Sequence, residues 1–153
     1  GGKLVFIRHA YAPGNGDPNN FNLNDCSTQR NLNIDGKKQA KNIGKFFREN
    51  KIKIYKVLSS EWCRCKETAD IAFKDFSTNS FLNSFYSSKY AKNKDKQVKA
   101  LNNYVKKFKS DKNLILITHY VLITEVLNYS PSSGEIVVSD KNFNIVGTVE
   151  IDY

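Results

Sequence analysis

The chain has 153 residues, 40% of them hydrophobic and 25% charged, with 24 Lys plus Arg against 15 Asp plus Glu for a formal net charge of +9. That length suits one sizeable core and is too short for two ordinary domains, and no apolar stretch approaches the ~20 residues of a membrane-spanning helix. The positive surplus draws anions at long range, whether phosphorylated metabolites, nucleic acid or acidic surfaces.

In chain order, a continuous apolar run from about Lys3 to Arg8 predicts a strand buried on both faces. The stretch from Tyr11 to Asn33, rich in Gly, Pro, Asn and Asp, predicts a long loop. A helix is expected from about Asp35 to Asn50, with Ala40, Ile43 and Phe47 on one face. Ile54 to Ser59 reads as the second strand and Glu61 to Phe73 as the second helix. After a variable segment, Val98, Leu101, Val105 and Phe108 recur at spacings of three, four and three, the stripe of an amphipathic helix. Leu114 to Thr118 is a third strand and Tyr120 to Leu127 a helix, followed by a hairpin of Glu135 to Ser139 and Ile145 to Ile151 about Asp140-Lys141-Asn142. Alternating strands and helices predict an α/β fold, a three-layer sandwich with a mainly parallel central sheet and helices on both faces.

The two histidines of the chain both stand where an apolar strand stops, in Leu4-Val5-Phe6-Ile7-Arg8-His9 and Leu114-Ile115-Leu116-Ile117-Thr118-His119. Ligands of open α/β sheets bind at the carboxyl ends of the strands, so both histidines are expected to face one crevice. Arg8 precedes His9, and Arg64 follows the strand-like Val57-Leu58-Ser59. Two arginines and two histidines converging from strand ends make an anion site with a nucleophile.

Nine lysines fall between Lys89 and Lys112, opposed only by Asp95 and Asp111. The apolar stripe running through them marks most as a solvated helix face. The charge is accompanied by no phosphate-binding loop, zinc-finger spacing or RNA-recognition signature, which argues against nucleic acid as a partner.

Arg8-His9-Ala10, Ser59-Ser60 with Arg64 and Glu67-Thr68-Ala69, and the late Thr118-His119 occur in the order that resembles the histidine phosphatase superfamily, also called phosphoglycerate mutase-like. The resemblance spans nearly the whole chain. It is also similar to a subgroup of bacterial members carrying the stretches that stand here as Ala12 to Pro18, Asp25 to Leu32 and Trp62 to Cys65. It implies a single phosphatase domain over residues 1–153 with a phosphoglycerate mutase-like sandwich. The activity implied is a phosphoric monoester hydrolase that needs no metal and no cofactor, acting on a phosphorylated small molecule or phosphoprotein.

By this resemblance His9 is the nucleophile that carries a covalent phosphoryl group, Arg8 and Arg64 bind its oxygens, and His119 donates to one of them. Arginine suits the role because its planar fork grips phosphate bidentately and stays charged. Arg30 and Thr28 lie in the loop region where family members contact substrate. Ala10 stands where many members have Gly, which implies a slightly trimmed pocket. Many members also carry a general-acid carboxylate after the second helix, whereas Ser77 to Tyr90 holds none. Asp17 and Asp25 are then the nearest proton-donor candidates, with Glu135 a weaker one. A missing acid also fits a good leaving group, such as an acyl phosphate, an aryl phosphate or the phosphoramidate of a protein phosphohistidine. The competing readings are a non-catalytic phospho-ligand binder on the same fold and an interaction protein working through the Lys-rich helix. A mutase is disfavoured because the chain has no long insertion to enclose its substrate. Among Phe81, Phe85, Tyr86 and Tyr120, aromatic pocket walls are expected beside core packing.

The three cysteines, Cys26, Cys63 and Cys65, include no second pair to complete a zinc tetrad. In an exported protein whose leader has been removed, Cys26 would bridge to Cys63 or Cys65; in a cytoplasmic one all three would be free. Sequence leaves compartment and oligomeric state open.

Overall fold

The computed structural model describes residues 2–153. Six strands form one mixed sheet: β1 (Leu4–Arg8), β2 (Ile54–Ser59), β3 (Ser77–Thr78), β4 (Asn113–Thr118), β5 (Ile136–Ser139) and β6 (Ile145–Val149). Their order is β3-β2-β4-β1-β5-β6, with β1 to β4 mutually parallel and the β5/β6 hairpin antiparallel along the β1 edge. Four α-helices accompany them: α1 (Ile34–Glu49), α2 (Cys63–Phe73), α3 (Lys94–Lys107) and α4 (Tyr120–Leu127).

The continuous apolar strands divide their side chains by simple alternation. Leu4 and Phe6 of β1, with Leu114 and Leu116 of β4, pack with Leu101 and Val105 of α3 and Leu122 and Ile123 of α4. Val5, Ile7, Ile115 and Ile117 face the other way, onto Ile43 and Phe47 of α1 and Cys65, Ala69 and Ala72 of α2. The result is the expected three-layer sandwich, with two helices on each face.

Local chemistry sets the helix boundaries. Asn33 caps α1 by accepting from the Gly36 amide at 2.9 Å, so the helix begins at Ile34, ahead of Asp35. Helix α2 starts at Cys63 rather than Glu61: Trp62, still extended, is its N-cap and its carbonyl accepts from the Lys66 amide at 3.0 Å. In α3, Leu101 and Val105 are buried as the stripe predicts, but Val98 is only partly covered and Phe108 packs just past the helix end. Gln97 takes the buried position instead, donating to the Asn83 carbonyl at 2.8 Å. Strand β3, two exposed residues long, has no apolar pattern to announce it.

Register is what positions the site. Along the parallel ladders Arg8 pairs with Thr118 and Ser59 with Ile117, so β1, β4 and β2 end side by side. Bonds beyond the strands, His9 N–H to the Thr118 carbonyl and Ser60 N–H to the Ile117 carbonyl, both 3.0 Å, carry that alignment into the next residues.

Helices α1 and α2 approach closely at Gly44, where an added Cβ would lie 2.4 Å from the Ala72 carbonyl oxygen. Backbone cannot yield as a flexible side chain does. Gly44→Ala is expected to lower stability by about 1–3 kcal/mol despite the better helix propensity of Ala, as read from urea denaturation.

Candidate active site

His9 and His119 meet at the carboxyl ends of β1 and β4, both nearly fully buried, with ring centroids 5.6 Å apart. Arg64, in the first turn of α2, donates from Nε to His9 Nε2 at 3.2 Å. On the opposite edge of the same ring, His9 Nδ1 lies 2.8 Å from the Ala10 carbonyl oxygen. A carbonyl only accepts and a guanidinium only donates, so Nδ1 carries the proton and Nε2 the lone pair. Burial, with Arg64 adding to it, pushes the His9 pKa well below its ordinary 6.5. His9 is therefore a neutral imidazole with its lone pair turned toward Arg64 and the cavity.

The segment after His9 is tied to α2 as well. Ala10 N–H donates to Thr68 Oγ1 at 3.0 Å, and Thr68 donates in turn to the Arg64 carbonyl. One threonine thus links the His9 backbone to the helix turn carrying Arg64. The Ala10 methyl packs with Ala12, Leu32 and Ala40 and does not line the cavity, so it does not trim the pocket.

His119 Nε2 contacts Ser60 Oγ at 2.8 Å, while its Nδ1 is buried with no partner among the described residues. Burial and the charge of Arg64 hold this histidine well below its ordinary pKa too. Arg8 donates to the Pro131 carbonyl at 2.9 Å and stacks over the Tyr120 ring at 5.4 Å, and its Nε is likewise unpartnered among the described residues. Two unpartnered polar atoms on residues of one cavity are what an anion with several oxygens would satisfy.

That cavity has a volume of about 520 Å³, with Arg8, His9, Arg30, Arg64 and His119 all in its wall. Asp17 is its one carboxylate. Asp17 Oδ1 accepts from Arg64 at 2.9 Å and from the Arg30 amide at 3.0 Å, and Oδ2 accepts from the Trp62 indole at 3.1 Å. Arg30 reaches the cavity with its guanidinium anchored on the Gly16 and Ala12 carbonyls, and burial pulls its pKa down to about 10.

The expected substrate contact Thr28 and the expected proton donor Asp25 lie elsewhere. Thr28 does not line the cavity: its hydroxyl is engaged by the Asp25 and Asn22 backbone in a turn of the first loop. Asp25 is exposed and caps the short 3-10 turn Cys26–Thr28, accepting from the Ser27 amide and hydroxyl. Both are turn-shaping residues, as Asp and Thr often are. Glu135 is also outside the cavity, buried against Tyr129 and the Ser132 amide. Phe81 and Phe85 belong to the core, whereas Tyr86 and Tyr120 line the cavity. Sequence reasoning assigned no role to Ser60, the hydroxyl that orients His119; its position directly after β2 was the available signal.

Cys26 and Cys63 are joined by a disulfide, and Cys65 is a free, buried thiol whose pKa burial pushes up to about 12. The bridge pins the first loop to the residue beside Arg64. Gln29 reinforces it by accepting from the Cys63 amide at 2.9 Å. Among the described residues no cluster of His, Cys, Asp and Glu could hold a metal ion, and no helix is long and apolar enough to cross a membrane.

The model of the histidine phosphatase superfamily (branch 1) matches residues 4–83, just over half of the chain. The chain belongs to this superfamily. No curated protein matches it in sequence. Solved structures share the fold at low identity. Phosphoserine phosphatase from Entamoeba histolytica in complex with 3-phosphoglyceric acid aligns at 15% identity over 100% of this chain and 98% of its own, with a TM-score of 0.67. The protein histidine phosphatase SixA complexed with tungstate aligns at 16% identity over 98% and 96%, with a TM-score of 0.58. Phosphoglycerate mutase from Thermus thermophilus aligns at 16% identity over 98% and 99%, with a TM-score of 0.60.

His9 and His119 have depressed pKa values in the folded state, so their contribution to stability is complete above the ordinary histidine value near 6.5 and is lost as pH falls from there toward the folded values. Histidine ¹⁵N spectra should show His9 neutral and Nδ1-protonated at pH values where a free imidazole is already charged. Cys26→Ser is expected to cost about 3–4 kcal/mol through the unfolded chain's regained freedom, and titration of the unreduced, denatured native chain should find one thiol.

Proposed function

We propose that this protein is a phosphatase that hydrolyses phosphomonoesters or activated phosphoryl groups through a covalent phosphohistidine on His9. The observation that carries this reading is the fixed tautomer of His9: Nδ1 is held by the Ala10 carbonyl, leaving the Nε2 lone pair beside Arg64. Nucleophilic catalysis needs that pair unprotonated, and lowering of the His9 pKa keeps it so below neutrality, with the Arg64 hydrogen bond giving way as phosphorus takes its place.

The remaining groups answer the charge of the transition state. Phosphoryl transfer places most of it on three equatorial oxygens, so preorganised donors are the main catalytic asset. Arg8, Arg64 and Arg30 supply guanidiniums, and His119 brings an unpartnered Nδ1. Side chains meet the charge, so the mechanism proposed needs neither metal nor cofactor. Ser60 and Asp17 act as positioning residues, the first for His119 and the second for Arg64. The Cys26–Cys63 bridge supports an oxidising compartment.

One observation favours a second reading. Asp17, the cavity's one carboxylate, accepts three hydrogen bonds and is committed to Arg64, which would also suit a phospho-ligand binder that does not turn over. Release of p-nitrophenol from p-nitrophenyl phosphate with EDTA present, followed from about pH 4 to about pH 8, separates the two. The native chain is expected to turn over, and His9→Ala to lose about a thousandfold or more. Binding of phosphate analogues without turnover in either form would support the binder.

A further inference from the structure

We propose that the part of the cavity beyond the phosphoryl-binding groups is a seat for an aromatic ring, so that the substrate is an aryl phosphomonoester with phosphate carried directly on a phenolic oxygen. This deepens the phosphatase reading and rests on it. Two independent observations point the same way.

The first is the wall. Phe21, Trp62, Tyr86, Tyr90 and Tyr120 all line the cavity. Phe21 stacks on Trp62 with centroids 5.1 Å apart, and Tyr90 stands edge-on to both at 5.9 and 5.4 Å. Trp62 in turn meets the His119 ring at 5.4 Å, so the aromatic cluster begins where the phosphoryl groups end. Tyr86 is 65% exposed and Tyr120 40% exposed, although both face this cavity. Tyr86 reaches across to the first loop, where a Cβ on Gly16 would lie 3.5 Å from its ring. Open rings flanking a preformed stack offer a planar group both face and edge contacts.

The second is the proton supply. An alkyl phosphate expels an alkoxide, whose conjugate acid is nearly as weak as water at ~15.7, and needs a donor. A phenolate, with a conjugate acid near ~10, leaves far more readily. The cavity's carboxylate is held as an acceptor by Arg64, the Arg30 amide and the Trp62 indole, and Ser77 to Tyr90 contributes no other. A site without a free acid is matched to a leaving group that does not require one.

The reaction balances without further reagents. The His9 Nε2 pair forms the P–N bond as the P–O bond to the ring breaks, and the phenolate leaves with that electron pair and takes a proton from solvent. Water then attacks phosphorus, the P–N bond breaks toward His9, and inorganic phosphate departs as the water's proton passes to solvent.

The test compares kcat/KM for phosphotyrosine, a short phosphotyrosyl peptide, phosphoserine, 5′-AMP and phosphohistidine, with acid-labile labelling of His9 followed in parallel. Both aryl substrates are expected to exceed phosphoserine and AMP by about a hundredfold or more, the scale of a missing general acid. Preference for the peptide would assign a protein source and preference for the free amino acid a small-molecule one, each upholding the proposal. Y86A, at a ring 65% exposed, should raise KM for phosphotyrosine about tenfold, far more than it raises KM for phosphoserine. F21A should act in the same direction. Equal rates on phosphoserine, or faster turnover of AMP or phosphohistidine, with His9 labelled, would overturn the aryl assignment and leave the phosphatase standing. Neither labelling nor phosphate release from any of the five would overturn both.

Discussion

Everything at this site depends on the hydrogen bond between His9 Nδ1 and the carbonyl of Ala10. It fixes which ring nitrogen holds the proton, and through that it decides that the nitrogen facing Arg64 is a base. A histidine flipped to the other tautomer would present an N–H to an arginine N–H. The bond forms because β1 stops at Arg8 and the chain turns under Thr68, which holds the Ala10 amide. Parallel pairing of β1 with β4 does the rest, setting His119 beside His9 with no direct link between them in sequence.

The site sits in a field of three arginines, and such a concentration of like charge has to be held from outside. Asp17 neutralises Arg64 from the first loop, backbone carbonyls of that loop hold Arg30, and Pro131 holds Arg8. The first loop is irregular apart from one short 3-10 turn, so its conformation rests on the Cys26–Cys63 bridge, on Gln29 and on the Trp62 contact with Asp17. Fold and chemistry are coupled here: the cross-link that stabilises the chain also ties the loop carrying Asp17 to the helix turn carrying Arg64.

The strands other than β3, their mainly parallel arrangement and the meeting of His9 with His119 are legible in the sequence, because uninterrupted apolar runs have few alternatives and each His follows one polar residue after such a run. Arg64 is legible through its motif. Other features leave no such trace. Strand β3 is two exposed residues long, and Gln97 takes the place in the α3 face that spacing assigns to Val98. Thr28 and Asp25 share the first loop with Arg30 and Asp17, yet the turn at Cys26–Thr28 directs the first pair away from the cavity and the second toward it. Loop direction of that kind is set by hydrogen bonds between residues many positions apart, such as Arg30 N–H to Asp17, which no local pattern encodes. The aromatic wall is similarly drawn from separate segments, so its rings read singly as core or surface until the fold assembles them.

The most direct measurement is on the phosphoryl intermediate itself. Protein labelled with ¹⁵N in its histidines would be mixed with substrate, quenched into alkali and examined for phosphorus–nitrogen coupling, with the modified residue located by peptide mass. Phosphorus bonded to Nε2 of His9 is the result expected from the fixed tautomer. Phosphorus on Nδ1, on His119, or on neither histidine while phosphate is still released, would contradict it.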